Sequence, residues 1–171
     1  EHLIRIVRDN CPNLKRFVFV STIGAVDRQK NDACTQPLTE DYLPAPTSDY
    51  GRSKLQAEDV VRQSGLPFSI IRPTMVVGSD MRFDSHFSVF VRHALSRSTI
   101  SRIAWPGRFS VVHVDDLAKA LWLVATHPDA LGQTFFCAGE PISVAECFDQ
   151  SQPNTLRIPI TLAVALARPV I

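Results

Sequence analysis

The sequence has no Cys-x-x-Cys pair, no histidines at ligand spacing and no excess of either charge. Its four cysteines, Cys11, Cys34, Cys137 and Cys147, stand far apart. That spacing argues against a zinc site or a disulfide framework and for free thiols in a reducing, cytoplasmic setting. The five histidines form no spaced pair that would hold a metal. With 18 Lys and Arg against 17 Asp and Glu, the formal net charge is +1, so neither nucleic acid nor a membrane surface is an expected partner. The opening EHLIRIVRDN is charged from its first residue, unlike a signal peptide. The closing apolar run, RIPITLAVALARPVI, is shorter than the roughly 20 residues a membrane span needs and is broken by Arg168-Pro169. It reads as a core-packing helix cut short. Both ends read as cuts through a larger protein, since no initiator Met is present and the first residues already carry a helical apolar stripe of Leu3, Ile4 and Val7.

What is present is enough for one ordinary core: 171 residues, 45% of them hydrophobic and 20% charged. Helical and strand-like stretches alternate. Residues 2–10 read as helix, and RFVFVST as a continuous apolar strand of the kind buried on both faces of a parallel sheet. A polar, proline-containing loop over residues 27–47 leads to a helix from about Asp49 to Ser64, capped by Thr47 or Ser48 and closed by Gly65. PFSIIRPTMVVG reads as a second buried strand ended by Pro73. SHFSVFVRHALSR reads as helix, FSVVHV as a short strand, and DDLAKALWLVATH as a helix capped by Asp115. QTFFCAG is a further strand, and SVAECF a helix start. This alternation predicts an α/β fold around a parallel sheet, and neither a linker nor an internal repeat divides the chain.

Within that pattern, DYGRSKLQAED holds Tyr50 and Lys54 four residues apart, hence on one helical face. One buried strand ends at Ser21-Thr22, and a second runs into IRPTMVVG. Ligands of parallel α/β sheets bind beyond the carboxyl ends of the strands, so Thr22 and residues 73–77 fall where a ligand is expected. Taken alone, Tyr50 and Lys54 could equally be a surface pair of no consequence.

Four segments in register decide between these readings: FVFVSTIGAV, YGRSK, IIRPTMVVG and SVVHVDDLAKAL. Together they resemble the catalytic half of an extended short-chain dehydrogenase/reductase, the family that includes NAD-dependent epimerases and dehydratases. The likeness runs from residue 14 to residue 145. It implies a partial Rossmann-type, doubly wound parallel sheet. Residues 1–171 would then be a single NAD(P)-binding domain truncated at both ends, with residues 78–110 as the substrate-loop region inside it.

The chemistry of such a pair is intelligible from first principles. A tyrosine hydroxyl ionises near pH 10 and is a poor base at neutrality, but an ammonium one turn away favours the phenolate. By resemblance, Tyr50 exchanges a proton with a substrate hydroxyl while hydride moves between that carbon and NAD or NADP. Thr22 donates a hydrogen bond to the substrate oxygen, with Ser21 as the competing donor. Lys54 also bonds the nicotinamide ribose, beside Tyr50, and the backbone of Pro73, Thr74, Met75 and Val76 lies against the nicotinamide. Met81, Phe83 and His86 fall in the variable loop and are substrate-contact candidates, with plain loop packing as the alternative. His113 is expected to be structural, Cys34 and Cys137 inert, and Trp105 and Trp122 core or loop anchors.

Two departures from the family pattern qualify the expectation. The glycine-rich turn that holds the cofactor pyrophosphate is missing, because Gly24, Gly51, Gly65 and Gly78 are each isolated, and so is the segment that selects NAD over NADP. The chain alone is therefore expected to bind NAD(P) weakly or not at all, and to leave the edge of FVFV unpaired. The segment GRFSVVHVDD also lacks the Arg-Asp pair usual in nucleotide-sugar enzymes, with Arg108 displaced by one position. That favours an apolar, steroid-like or phenolic carbonyl and a hydroxy/keto dehydrogenase or reductase. A nucleotide-sugar epimerase or dehydratase is the alternative, and an inactive fragment or NAD(P)-sensing protein the rival. The expected partner is a small-molecule substrate, and a homodimer remains open.

Overall fold

The stretch FSIIRP makes the central strand. In the computed structural model, which describes residues 2–27, 38–79, 81–82, 84, 103–104, 108–143 and 156–157, β2 (Phe68–Pro73) is buried from Ser69 to Pro73. It is flanked in parallel by β1 (Phe17–Val20) and by β6 (Thr134–Cys137), in the order β1-β2-β6. The register pairs Val20 with Ile71 and Pro73 with Cys137. All three carboxyl ends therefore reach the same edge. The α/β fold with parallel strands agrees with the sequence pattern, with one correction. β1 is only half-buried and Val20 is 40% exposed, because among the described residues it has a neighbour on one side only.

Side chains alternate along a strand, and the polar residues of β2 show which face is which. Arg72 meets α2 (Asp49–Arg62), so Ile70 and Arg72 face that helix. The Ser69 hydroxyl donates to Ala130 O just after α3 (Val114–Thr126), so Ser69 and Ile71 face the other layer. Arg16 is fastened to the same end of α3. Its guanidinium donates to Ser69 Oγ at 2.7 Å, to the carbonyl of Val124 in the last turn of the helix, where carbonyls lack a partner within the helix, and to that of His127 just beyond it. Ile70, Ile71, Val61, Val124, Val26 and Ala25 are buried between these layers.

Ser48 caps α2, accepting from the Gly51 N–H at 3.0 Å. The helix ends two residues earlier than expected, and Gly65, with φ of +73°, supplies the left-handed turn that follows it. In α3 the cap is His113 rather than Asp115: its Nδ1 accepts from the Asp115 N–H at 3.3 Å. Only the stripe Leu117, Ala120, Leu121, Val124 and Ala125 of α3 turns inward. Trp122 lies off that stripe and is 73% exposed, so it is not a core anchor. Likewise in α1 (His2–Asn10), Ile4 and Val7 are half-buried whereas Leu3 is exposed.

The chain forms two compact units, residues Glu1–Val76 with Val112–Ala138, and Val77–Val111 with Gly139–Ile171. β3 (Met75–Val77) follows β2 directly. Within the second unit, β4 (Ile103–Ala104) pairs in parallel with β8 (Leu156–Arg157). There too, residues of β5 (Arg108–His113) run antiparallel to β7 (Pro141–Ser143), with Phe109 opposite Ile142. The helix expected over SHFSVFVRHALSR, the continuation of SVAECF, the closing apolar run, Cys34 and Trp105 lie outside the described residues. No helix among the described residues is long and apolar enough to cross a membrane.

Candidate active site

β1 leads out of the sheet through Ser21 to Thr22, which caps a single 3-10 turn, Ile23–Ala25. The Thr22 hydroxyl oxygen accepts from the Gly24 N–H at 3.3 Å. A hydroxyl has one donor and two acceptor sites, so this bond leaves the Thr22 proton available. The Ser21 hydroxyl is differently engaged: it is buried and donates to Glu58 Oε1 at 2.5 Å. Of the two adjacent hydroxyls, only that of Thr22 is not already donating to another group among the described residues.

The first turn of α2 lies against the 3-10 turn. A Cβ at Gly51 would stand 2.2 Å from the Gly24 carbonyl oxygen and 3.1 Å from Pro46 Cβ, so only glycine permits this approach. The contact brings the Tyr50 backbone beside the turn that follows Thr22. Tyr50 itself is 61% exposed. One turn on, Lys54 Nζ donates to the Val20 carbonyl at 2.7 Å and lies 4.8 Å from the centre of the Phe19 ring. The ammonium is thus held at the carboxyl end of β1 by a hydrogen bond and a cation–π contact.

β2 delivers the third segment to the same edge. Pro73 is buried, and Thr74 donates its N–H to the Cys137 carbonyl at 2.9 Å. Met75 and Val76 are exposed, at 41% and 36%. Thr22, Tyr50, Lys54 and residues 73–76 all belong to the first compact unit. Met81 belongs to the second, where its N–H donates to the Gly78 carbonyl at 3.3 Å. Phe83 and His86 lie outside the described residues.

Sequence reasoning passed over a buried charged cluster beneath this edge. Glu58, on the Tyr50–Lys54 stripe of α2, is fully buried, and Arg72 is 3% exposed. Arg72 Nε donates to Glu58 Oε1 at 2.9 Å and its Nη2 to Oε2 at 2.7 Å. Arg62 Nη2 adds a further bond to Oε2 at 2.7 Å. Burial pushes the Glu58 carboxyl up, but hydrogen bonds from Arg72 and Ser21, the Arg72 charge and the Arg62 bond together hold it below its ordinary value. The available signal was Arg72 itself, a guanidinium inside an apolar strand that must find a carboxylate.

The remaining polar groups are less suggestive. Burial and the nearby Asp116 push the Cys137 thiol up, so it is a poor thiolate, in keeping with an inert cysteine. No cluster of three or more His, Cys, Asp or Glu among the described residues could hold a metal.

Comparison with known proteins agrees with this architecture. The chain is 29% identical over 144 residues to (S)-8-oxocitronellyl enol synthase ISY2 of Nepeta racemosa, covering 74% of this chain and 36% of that protein. It is 25% identical over 155 residues to tetraketide alpha-pyrone reductase 1 of Arabidopsis thaliana, covering 85% of this chain and 47% of that one. The chain therefore spans about a third to a half of these relatives. Among solved structures, dTDP-glucose 4,6-dehydratase from Bacillus anthracis in complex with NAD has a TM-score of 0.69 at 21% identity, over 91% of this chain and 52% of that one. UDP-glucuronic acid 4-epimerase from Bacillus cereus in complex with NAD matches with the same score and identity over 85% and 47%. A third neighbour, RMD from Pseudomonas aeruginosa, was solved with NADPH and has a TM-score of 0.63 at 17% identity, over 85% of this chain and 55% of that one. The family model for the NAD dependent epimerase/dehydratase family matches residues 1–139, and the chain belongs to that family, whose cofactor is a nicotinamide dinucleotide.

Proposed function

We propose that this chain forms the catalytic half of an NAD(P)-dependent oxidoreductase acting on a secondary alcohol or its ketone. The supporting observation is the Gly51–Gly24 contact, which brings the start of the Tyr50 helix against the turn that follows Thr22. Tyr50 is the general acid/base that exchanges the proton with the substrate oxygen. Thr22 donates to that oxygen as charge develops on it. Lys54 has three N–H donors and uses one on Val20, which leaves others for the phenol and for a ribose hydroxyl. Met75 and Val76 offer exposed apolar surface at the same edge, suited to a flat ring with backbone from Pro73 and Thr74 beside it. Nicotinamide, when bound, supplies or accepts the hydride. The substrate partner is a small molecule.

A reductase or dehydrogenase is preferred to a nucleotide-sugar epimerase on one observation besides the names of the relatives. Arg108, the residue nearest to a phosphate-gripping position, stands one place away from the Arg-Asp pair usual in nucleotide-sugar enzymes and is followed by Phe109-Ser110. A reductase consumes its cofactor in step with product, whereas an epimerase regenerates it. The test uses the full-length protein, with NADH and NADPH against a panel of ketones and UDP-sugars, and Tyr50→Phe as the control. Net cofactor oxidation on a ketone, lost in Tyr50→Phe while cofactor binding persists, is the expected result. Turnover undiminished in Tyr50→Phe would remove the assignment, and sugar epimerisation without net redox would move it to the alternative.

A further inference from the structure

We infer that Glu58 is the positioning residue of this site, a single buried carboxylate that holds together all three segments supplying its chemistry. The inference rests on the proposed roles of Thr22, Tyr50 and Lys54. One segment is the end of β1: Ser21, bonded to Oε1, is the residue before Thr22. The second is α2, on which Glu58 stands one turn beyond Lys54 and two beyond Tyr50. The third is the end of β2, where Arg72 grips both carboxylate oxygens and is followed at once by Pro73 to Val76. Arg62 closes the fourth side of the carboxylate, and the Arg72 guanidinium carbon lies 5.9 Å from the centre of the Phe136 ring on β6.

Stability alone does not explain such a cluster. A buried ion pair is often no more stabilising than apolar side chains of the same volume. What it adds is direction. Apolar contacts let a helix slide on a sheet, whereas a bidentate guanidinium–carboxylate pair fixes both distance and angle. Glu58 thus sets the height of Tyr50 and Lys54 over β1 and β2, and through Ser21 the path of the backbone into Thr22. Glu58 touches neither substrate nor cofactor in this scheme. It acts through its neighbours.

Two variants of the full-length protein separate positioning from mere support. Glu58→Asp keeps the charge but withdraws it by one methylene. The double substitution Glu58→Leu with Arg72→Met removes both charges and leaves the site filled. Both are expected to fold, with kcat reduced roughly 100-fold, the effect of misplacing reacting groups by about 1 Å. KM should change little, as for an interaction realised in the transition state. Amide exchange is expected to quicken at residues 22–25 and 74–76, while Ile70 and Ile71 stay protected. Wild-type kcat and unchanged exchange in either folded variant would overturn the inference, and so would failure of both to fold, which would make Glu58 a stability residue. Tyr50→Phe, measured alongside, distinguishes the two failures. If it is inactive while Glu58→Asp is fully active, only the positioning role falls. If Tyr50→Phe is fully active the proposed chemistry falls, and the exchange readout still reports on Glu58.

Discussion

Replacing Gly51 by alanine tests the geometry of the site more directly than deleting a reacting group. In an ordinary helix position the change would stabilise by up to about 1 kcal/mol, since glycine costs backbone entropy. Here the new methyl meets the Gly24 carbonyl oxygen at 2.2 Å. The partner is backbone, held in a 3-10 turn that Thr22 caps, and cannot rotate away. The first turn of α2 must therefore retreat by about 1 Å to reach an ordinary contact distance. Overpacking of this kind costs about 1–3 kcal/mol, which less up to about 1 kcal/mol of propensity gain leaves a net loss of about 0–2 kcal/mol. The retreat also carries Tyr50 away from Thr22, and a displacement of that size costs roughly 100-fold in kcat.

The comparison variant is Gly65→Ala. A Cβ there meets nothing within 4 Å, but φ is +73°, so the substitution is strained without displacing a neighbour, at about 1–2 kcal/mol. Thermal melts and steady-state kinetics on the full-length protein then give a clear contrast. Both variants lose comparable stability, and only Gly51→Ala loses turnover. A Gly51→Ala protein with wild-type Tm and kcat would mean that the two turns are not in contact as described. Equal loss of kcat in both variants would mean that activity follows stability rather than the Thr22–Tyr50 geometry.

Other outcomes follow from the same structure. Ile70→Ala, in the centre of the sheet at 0% exposure, is expected to cost about 2–5 kcal/mol in denaturant unfolding. Trp122→Ala, at 73% exposure, is expected to change stability by no more than about 0.5 kcal/mol, and a larger loss would mean that the indole is covered. The depressed Glu58 carboxyl gives a pH dependence of definite sign. A group ionising more readily in the folded state contributes stability that is complete above its unfolded value of about 4.3 and is lost as pH falls through the lower folded value. The difference in Tm between wild type and Glu58→Gln is therefore expected to be constant above about pH 5 and to narrow below about 4. A gap that stayed constant to pH 3 would place the carboxylate outside the ion pair.

The legible parts of this protein were those governed by short-range rules. FVFV and FSIIRP read as strands because runs of apolar residues of that length have few other fates. Tyr50 and Lys54 read as one face because helical spacing demands it, and a cap at Thr47 or Ser48 followed from their place ahead of an amphipathic stretch, the structure using Ser48. The errors were of two kinds. Asp115 was assigned the cap because aspartate is a good one, but His113, two residues earlier, has an extended backbone and offers Nδ1 to the same N–H. Trp122 is read as a core or loop anchor from its size and hydrophobicity, and the core half of that reading fails because the inward stripe of α3 passes through Leu121 and Val124 and leaves it outside.

The buried cluster escaped notice for a different reason, and it is the more instructive case. Glu58 sits in AEDVVR, where a glutamate four residues before an arginine has an ordinary reading as an exposed i,i+4 pair, and that pair indeed forms with Arg62. Nothing local says that the carboxylate is also inside. The information lies in Arg72, fourteen residues away on another element, where SIIRP puts a permanent cation into a strand that is buried throughout. A guanidinium cannot shed its charge at any accessible pH, so a carboxylate must be brought to it. Among the segments that the topology brings to that end of β2, the acidic side chain on the inward stripe of α2 is Glu58. The same constraint makes the cluster informative about function. A chain that needed only to hold a helix on a sheet could do so with leucines. This one instead anchors the helix bearing Tyr50 and Lys54 through a directional pair, at the place where three strand and helix ends converge on the candidate site.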